Sequence, residues 1–99
     1  MTVVNIEFVG VLQTLAGKRI IALDICSSGS SLKVKDVVRR LTEQLPHTFS
    51  QSLIDPELQN PKPNALILVN NQEISALNDM NTEIQENDHV VFIPVSHGG

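Results

Sequence analysis

A chain of 99 residues, 41% apolar and 18% charged, has the make-up expected of one soluble globular domain spanning residues 1–99. A net charge of −4, with no dense Lys/Arg cluster to neutralise several phosphates, argues against direct nucleic-acid binding, and a single cysteine excludes an internal disulfide or a multi-cysteine metal site. No apolar run reaches membrane-spanning length and no basic-then-apolar leader opens the chain, so no membrane partner is expected and the expected setting is the cytoplasm.

Thr2 to Val9 alternates as a strand does, with Val4, Ile6 and Phe8 on one face and Val3, Asn5, Glu7 and Val9 on the other. Gly10 to Lys18 reads as a turn region in which Gly17 suits a positive φ. Arg19 to Cys26 forms a second strand with Ile21, Leu23 and Ile25 facing one way, so the first two strands pair as antiparallel neighbours. After the loop Ser27–Ser31, the residues Val34, Val37, Val38, Leu41 and Leu45 fall on one helical stripe. Asp36 sits in the first turn, where negative charge suits the helix dipole; Ser31 is the candidate N-cap, with a start that can slip by two residues, and Pro46 ends the helix. Lys33, Lys35, Arg39 and Arg40 share this segment with Asp36 and Glu43, which makes a solvated helix face rather than a phosphate site.

Residues 47–64 carry Pro56, Pro61 and Pro63 and read as irregular, with one short helical turn near Ser50–Ile54. The continuous apolar run Ala65–Val69 has the pattern of a strand covered on both faces or close to it. Asn70 and Asn71 are suited to the left-handed geometry of a tight turn before a short strand at Gln72–Ile74. A polar connection and the turn Glu86-Asn87-Asp88 then lead into a last strand, His89–Val95. The order ββ-α-β-β-β predicts an α+β fold: a mixed sheet of four or five strands packed on one main helix, with the first and last strands side by side in its middle.

Directly after the last strand come Ser96, His97, Gly98 and Gly99. Glycine has no Cβ, so such a thread enters channels too narrow for other residues and leaves little bulk around a terminal carbonyl. Two readings fit this tail by itself: a terminus presented to an enzyme, or an ordinary frayed end. In both, residues 96–99 are expected to be mobile because they bring almost no apolar area.

The pattern as a whole resembles the β-grasp fold of ubiquitin-like proteins, and within them the sulfur-carrier branch. The matching pieces are Ala16-Gly17, Val34-Lys35-Asp36-Val37-Val38 opening the helix, Ala65-Leu66-Ile67-Leu68-Val69-Asn70 before the tight turn, and Glu86 to Pro94 running into Val95-Ser96-His97-Gly98-Gly99. The Asn-Asp-x-Val…Phe-Ile-Pro-Val run is similar to the small subunit of molybdopterin synthase. The His-Gly-Gly ending and the chain length are similar to the ubiquitin-related modifier that serves tRNA thiolation. The likeness covers nearly the whole chain, least well at 47–64, and departs from the family at Lys33, where an N-capping Thr or Ser is frequent.

The resemblance implies a carrier and substrate rather than an enzyme. The carboxylate of Gly99 is adenylated by an E1-like enzyme that uses ATP, then converted to a thiocarboxylate by a sulfurtransferase of the rhodanese type or passed to a sulfur-accepting enzyme. Conjugation of the same terminus to protein lysines is a second use, and a dedicated protein modifier or a non-catalytic β-grasp interaction domain are the alternatives. Gly98 and His97 are then tail-recognition residues, and no bound cofactor or metal is needed. No nucleophile–base pair or ligand cluster stands out in the chain itself. Cys26 reads as a small inert side chain in preference to a second sulfur site, His47 and His89 as ordinary loop and strand-edge residues, and Lys18, Lys33, Lys35 and Lys62 as solvated lysines that could accept a conjugate. If Val90 and Phe92 face the helix, Val91, Ile93 and Val95 form an apolar docking surface beside the tail; the opposite parity, or cover from residues 47–64, removes it.

Overall fold

The alternation that opens the chain becomes strand β1 (Thr2–Phe8), with Val4, Ile6 and Phe8 buried. The computed structural model describes residues 2–25, 32–49 and 65–94. Within these, β2 (Ile20–Ile25) pairs antiparallel with β1, from Thr2 opposite Ile25 to Glu7 opposite Ile20. The connection between them corrects the expected turn region. Val11–Ala16 is a short helix, α1, which buries Leu12 and packs Leu15 and Ala16 against the core. Gly17 ends it in the left-handed conformation, φ 81°, and its N–H returns to the Gln13 carbonyl at 3.0 Å.

The two-residue strand β3 (Leu32–Lys33) leads into helix α2 (Val34–Gln44), whose Val34, Val37, Val38 and Leu41 are buried, with Leu45 partly buried against the same core. The N-cap position is Lys33, the two-residue slip from Ser31 that the sequence left open; Ser31 itself lies outside the described residues. Lys33 has no side-chain acceptor to offer. Instead Asp36 reaches back and accepts the Lys33 backbone N–H at 2.9 Å, one half of a capping box. At the other end Leu45 is extended (φ −94°, ψ 162°), the conformation that the following Pro46 demands. Residues 47–49 are helical, and their Phe49 is fully buried; residues 50–64, including the turn expected at Ser50–Ile54, lie outside the described residues.

β4 (Ala65–Val69) and β5 (Gln72–Glu73) are joined by Asn70 and Asn71, both at positive φ (51° and 72°). The short strand stops one residue early because Ile74 begins a 3₁₀ turn, Ile74–Ala76, and is buried by it. A second 3₁₀ turn (Asp79–Asn81) and strand β6 (Glu83–Ile84) occupy the stretch expected to be a plain polar connection. β6 pairs with β3, so this stretch is tied to the start of α2, and the buried Thr82 accepts the Asn78 N–H at 3.1 Å. Asn87, at φ 68°, turns the chain into β7 (His89–Pro94).

Among the described residues the main sheet has five strands in the order β2-β1-β7-β4-β5; β1 and β7 are parallel and every other pair is antiparallel. The first and last strands therefore meet at the centre, and the sheet's inner face shares one core with α2: this is the β-grasp arrangement. All of the chain's phenylalanines are in that core. Phe8 packs edge-on against Phe49 (centroids 5.2 Å, 76°) and tilted against Phe92 (5.9 Å). Such a pair adds about 0.5–1.5 kcal/mol beyond the area it buries.

Candidate docking face at the root of the C-terminus

Because side chains alternate along a strand, burial of Val4, Ile6, Phe8, Val90 and Phe92 sends their neighbours to the other face of the sheet. Strand register then sets out that outer face in levels. One level crosses all five strands: Ile20, Glu7, Val91, Leu68 and Glu73, each the register partner of the next. One step nearer the C-terminal end of β7, Ile93 stands opposite Leu66, and Val9 extends the β1 ladder by donating its N–H to the Phe92 carbonyl at 3.1 Å. In the other direction lie Ala22, Asn5 and His89, then Val3 and Asp24. The face is thus apolar at the end where the chain leaves the sheet and polar at the far end.

Val91 and Ile93 are half-buried there, while Leu66 and Ile20 are 42% and 50% exposed. Val95, His97, Gly98 and Gly99 lie outside the described residues, as does Cys26. Cover of the run Ala65–Val69 is complete on one face alone: Ile67 and Val69 are buried in the core shared with α2, whereas on the outer face Leu68 is half-buried and Leu66 exposed. Leu66, Leu68, Ile20 and Val9 are the members of this surface that the sequence reading missed. The signal was present in the absence of any polar residue from Ala65–Val69, a pattern that a partner-covered strand shares with a buried one.

At the exit itself, Gly10 adopts φ 63°, ψ −136° between β1 and α1. A Cβ built there would stand 3.2 Å from Pro94 Cγ, so the absence of a side chain lets the β1–α1 elbow close against the last residue of β7.

One charged cluster interrupts the apolar level. His89 Nε2 lies 3.0 Å from Glu7 Oε1; a carboxylate only accepts, so the ring donates from Nε2. Arg19 Nε lies 3.8 Å from the other oxygen, Oε2. His89 is therefore a paired residue of the sheet's outer face rather than an isolated strand-edge histidine. Among the described residues no group of His, Cys, Asp or Glu could hold a metal ion, and no helix is long and apolar enough to cross a membrane.

A comparison with curated protein sequences returned no significant match. Solved structures match over nearly the full chain. Urm1 from Trypanosoma brucei is 24% identical, with 99% of this chain and 96% of that one covered and a TM-score of 0.73. The small archaeal modifier protein 1 (SAMP1) from Methanosarcina acetivorans is 23% identical, with 100% and 98% covered and a TM-score of 0.75. Mycobacterium tuberculosis CysO is 22% identical, with 94% and 99% covered and a TM-score of 0.69. At such identities the likeness is one of fold. The family model described as Urm1 (Ubiquitin related modifier) matches residues 3–99, a span that takes in every strand of the sheet from Val3 onward and ends on Gly99, and the chain belongs to that family.

Proposed function

We propose that this protein is a sulfur carrier whose Gly99 carboxylate is activated by an E1-like enzyme. The carboxylate attacks the α-phosphorus of ATP, pyrophosphate leaves, and the terminal glycine becomes an acyl-adenylate. A sulfide-level donor, delivered by a partner sulfurtransferase, then attacks the acyl carbon; the C–S bond forms, AMP leaves, and a thiocarboxylate remains. ATP belongs to the activating enzyme, and the chain needs no resident cofactor. The same acyl-adenylate can instead pass to a lysine amine as an isopeptide.

One observation carries this reading: the central strand β7 leads the chain out at the apolar end of an otherwise uncovered sheet face, among the described residues. Such a face gives an activating enzyme a rigid surface to grip while the residues after Pro94 enter its active site. Holding a reacting group within a near-attack geometry is where an enzyme gains most, and a displacement of about 1 Å can cost on the order of a hundredfold in rate.

The test is ATP–pyrophosphate exchange by the purified cognate E1-like enzyme, with the wild-type chain and with Gly99 deleted. Exchange is expected with the first and not with the second; equal rates would show that Gly99 is not the reacting group. Intact mass of the protein from its own cells separates the fates of the terminus. A gain equal to exchange of one oxygen for sulfur marks the thiocarboxylate, covalent adducts with other proteins mark conjugation, and neither during active growth favours a non-catalytic interaction domain.

A further inference from the structure

Glu7 stands out from its surroundings on the docking face. Its register partners are Ile20 and Val91, Leu68 is one strand further on, and Ile93 and Leu66 occupy the next level. Among the described residues it is the one charged side chain on the three central strands of this apolar half; Glu73 stands on the edge strand β5. Its two oxygens are served unequally. Oε1 accepts from His89 at 3.0 Å, whereas the cation nearest Oε2 is Arg19 Nε at 3.8 Å, beyond hydrogen-bond reach and on a side chain 67% exposed. Oε2 thus retains acceptor capacity on the face that a partner covers.

A protein that buries Leu66, Val91 and Ile20 also strips water from Glu7, and a desolvated carboxylate with an unfilled acceptor strongly opposes binding unless a donor replaces the water. We propose that the partner seated on this face presents one guanidinium or ammonium group to Glu7 Oε2, set within an apolar surface. This rests on the reading that the activating enzyme docks here, and it adds the chemistry of what that enzyme must carry. The chain's net charge of −4 favours the same sign of partner, because a cationic complement also speeds encounter. The pairing further fixes register: an apolar patch by itself tolerates sliding, whereas a single buried ion pair does not.

The rival source for the missing donor is this chain's own Arg19, swinging in as the face is covered. The two are separated by measuring pyrophosphate exchange as a function of carrier concentration with the purified cognate E1-like enzyme. Glu7→Gln keeps an oxygen that can accept from His89 but removes the charge. It is expected to raise the half-saturating carrier concentration roughly tenfold or more, with the gap narrowing as salt is increased. Arg19→Gln is expected to leave that concentration unchanged or to lower it, because Arg19 competes for the same oxygen. An Arg19→Gln loss as large as that of Glu7→Gln would overturn the proposal in favour of the internal pair. A wild-type curve for Glu7→Gln beside a weakened Leu66→Asp would overturn it while leaving the docking face in place. Wild-type curves for both would remove the docking face and the proposal together. The Gly99 deletion in the same assay reports on activation independently of either.

Discussion

Asn70 and Asp88, eighteen residues apart, are joined side chain to side chain: Asn70 Nδ2 donates to Asp88 Oδ1 at 3.1 Å. Asn70 also holds the backbone beside Asp88, and Asp88 the backbone of its own turn. The His89 N–H donates to Asn70 Oδ1 at 3.0 Å, the Asn70 N–H to the His89 carbonyl at 2.8 Å, and the Gln85 N–H to Asp88 Oδ2 at 2.8 Å. The pair therefore locks the β4–β5 turn to the turn that launches β7. These residues belong to the two stretches that carried much of the sequence resemblance, and their work lies in positioning the central strand rather than in chemistry.

Replacing Asn70 tests this. Asn70→Ala loses both side-chain bonds and places a Cβ-bearing residue without local hydrogen bonding at φ 51°, so a loss of about 2–3 kcal/mol is expected in urea denaturation. Asn70→Gly removes the same bonds but accepts the positive φ, and should recover about 1 kcal/mol of that loss.

The helix face can be checked at Leu41, which is fully buried in α2. Leu41→Ala should cost roughly 2–5 kcal/mol, the range for a large-to-small change in a core that relaxes only partly. A change below about 0.5 kcal/mol, as for surface substitutions, would place Leu41 outside the core.

Gly10→Ala combines backbone strain at φ 63° with a Cβ 3.2 Å from Pro94 Cγ, and about 1–3 kcal/mol of destabilisation is expected. A double-mutant cycle with Pro94→Ala separates the two causes. The steric part should vanish when the ring is removed, while the backbone part should persist.

Leu66→Asp places a charge on an exposed outer-face position whose side chain contributes nothing to the inner core. It should shift the denaturation midpoint little and raise the half-saturating carrier concentration in pyrophosphate exchange about tenfold or more, as expected for loss of a central apolar contact. A variant that unfolds early, or one that saturates at the wild-type concentration, would remove Leu66 from the docking face.

Much of the architecture was legible because its elements are long enough for periodicity to show. The stripe Val34, Val37, Val38 and Leu41 emerged as the buried side of α2, and Val4, Ile6 and Phe8 as that of β1. What escaped was short. The helix Val11–Ala16 lies between two glycines that read as turn, and its Leu12, Leu15 and Ala16 complete too little of a stripe to outweigh them. Strands of two residues, β3 and β6, have no period at all and exist only because each finds the other across some fifty positions of sequence, Leu32 opposite Ile84 and Lys33 opposite Glu83.

By itself the sequence determined the alternation of the first strand, the main helix and the left-handed turn at Asn70-Asn71, because each depends on local spacing or on the conformational range of one residue type. The tertiary structure decided which residues share the outer face. Ile20, Glu7, Val91 and Leu68 are scattered over eighty-odd positions and become one level only through register across four strands, and no local property records register. The pairing of His89 with Glu7, 82 residues away, follows from the same cause: β1 and β7 lie parallel at the centre, so side chains from the two ends of the chain meet on one surface.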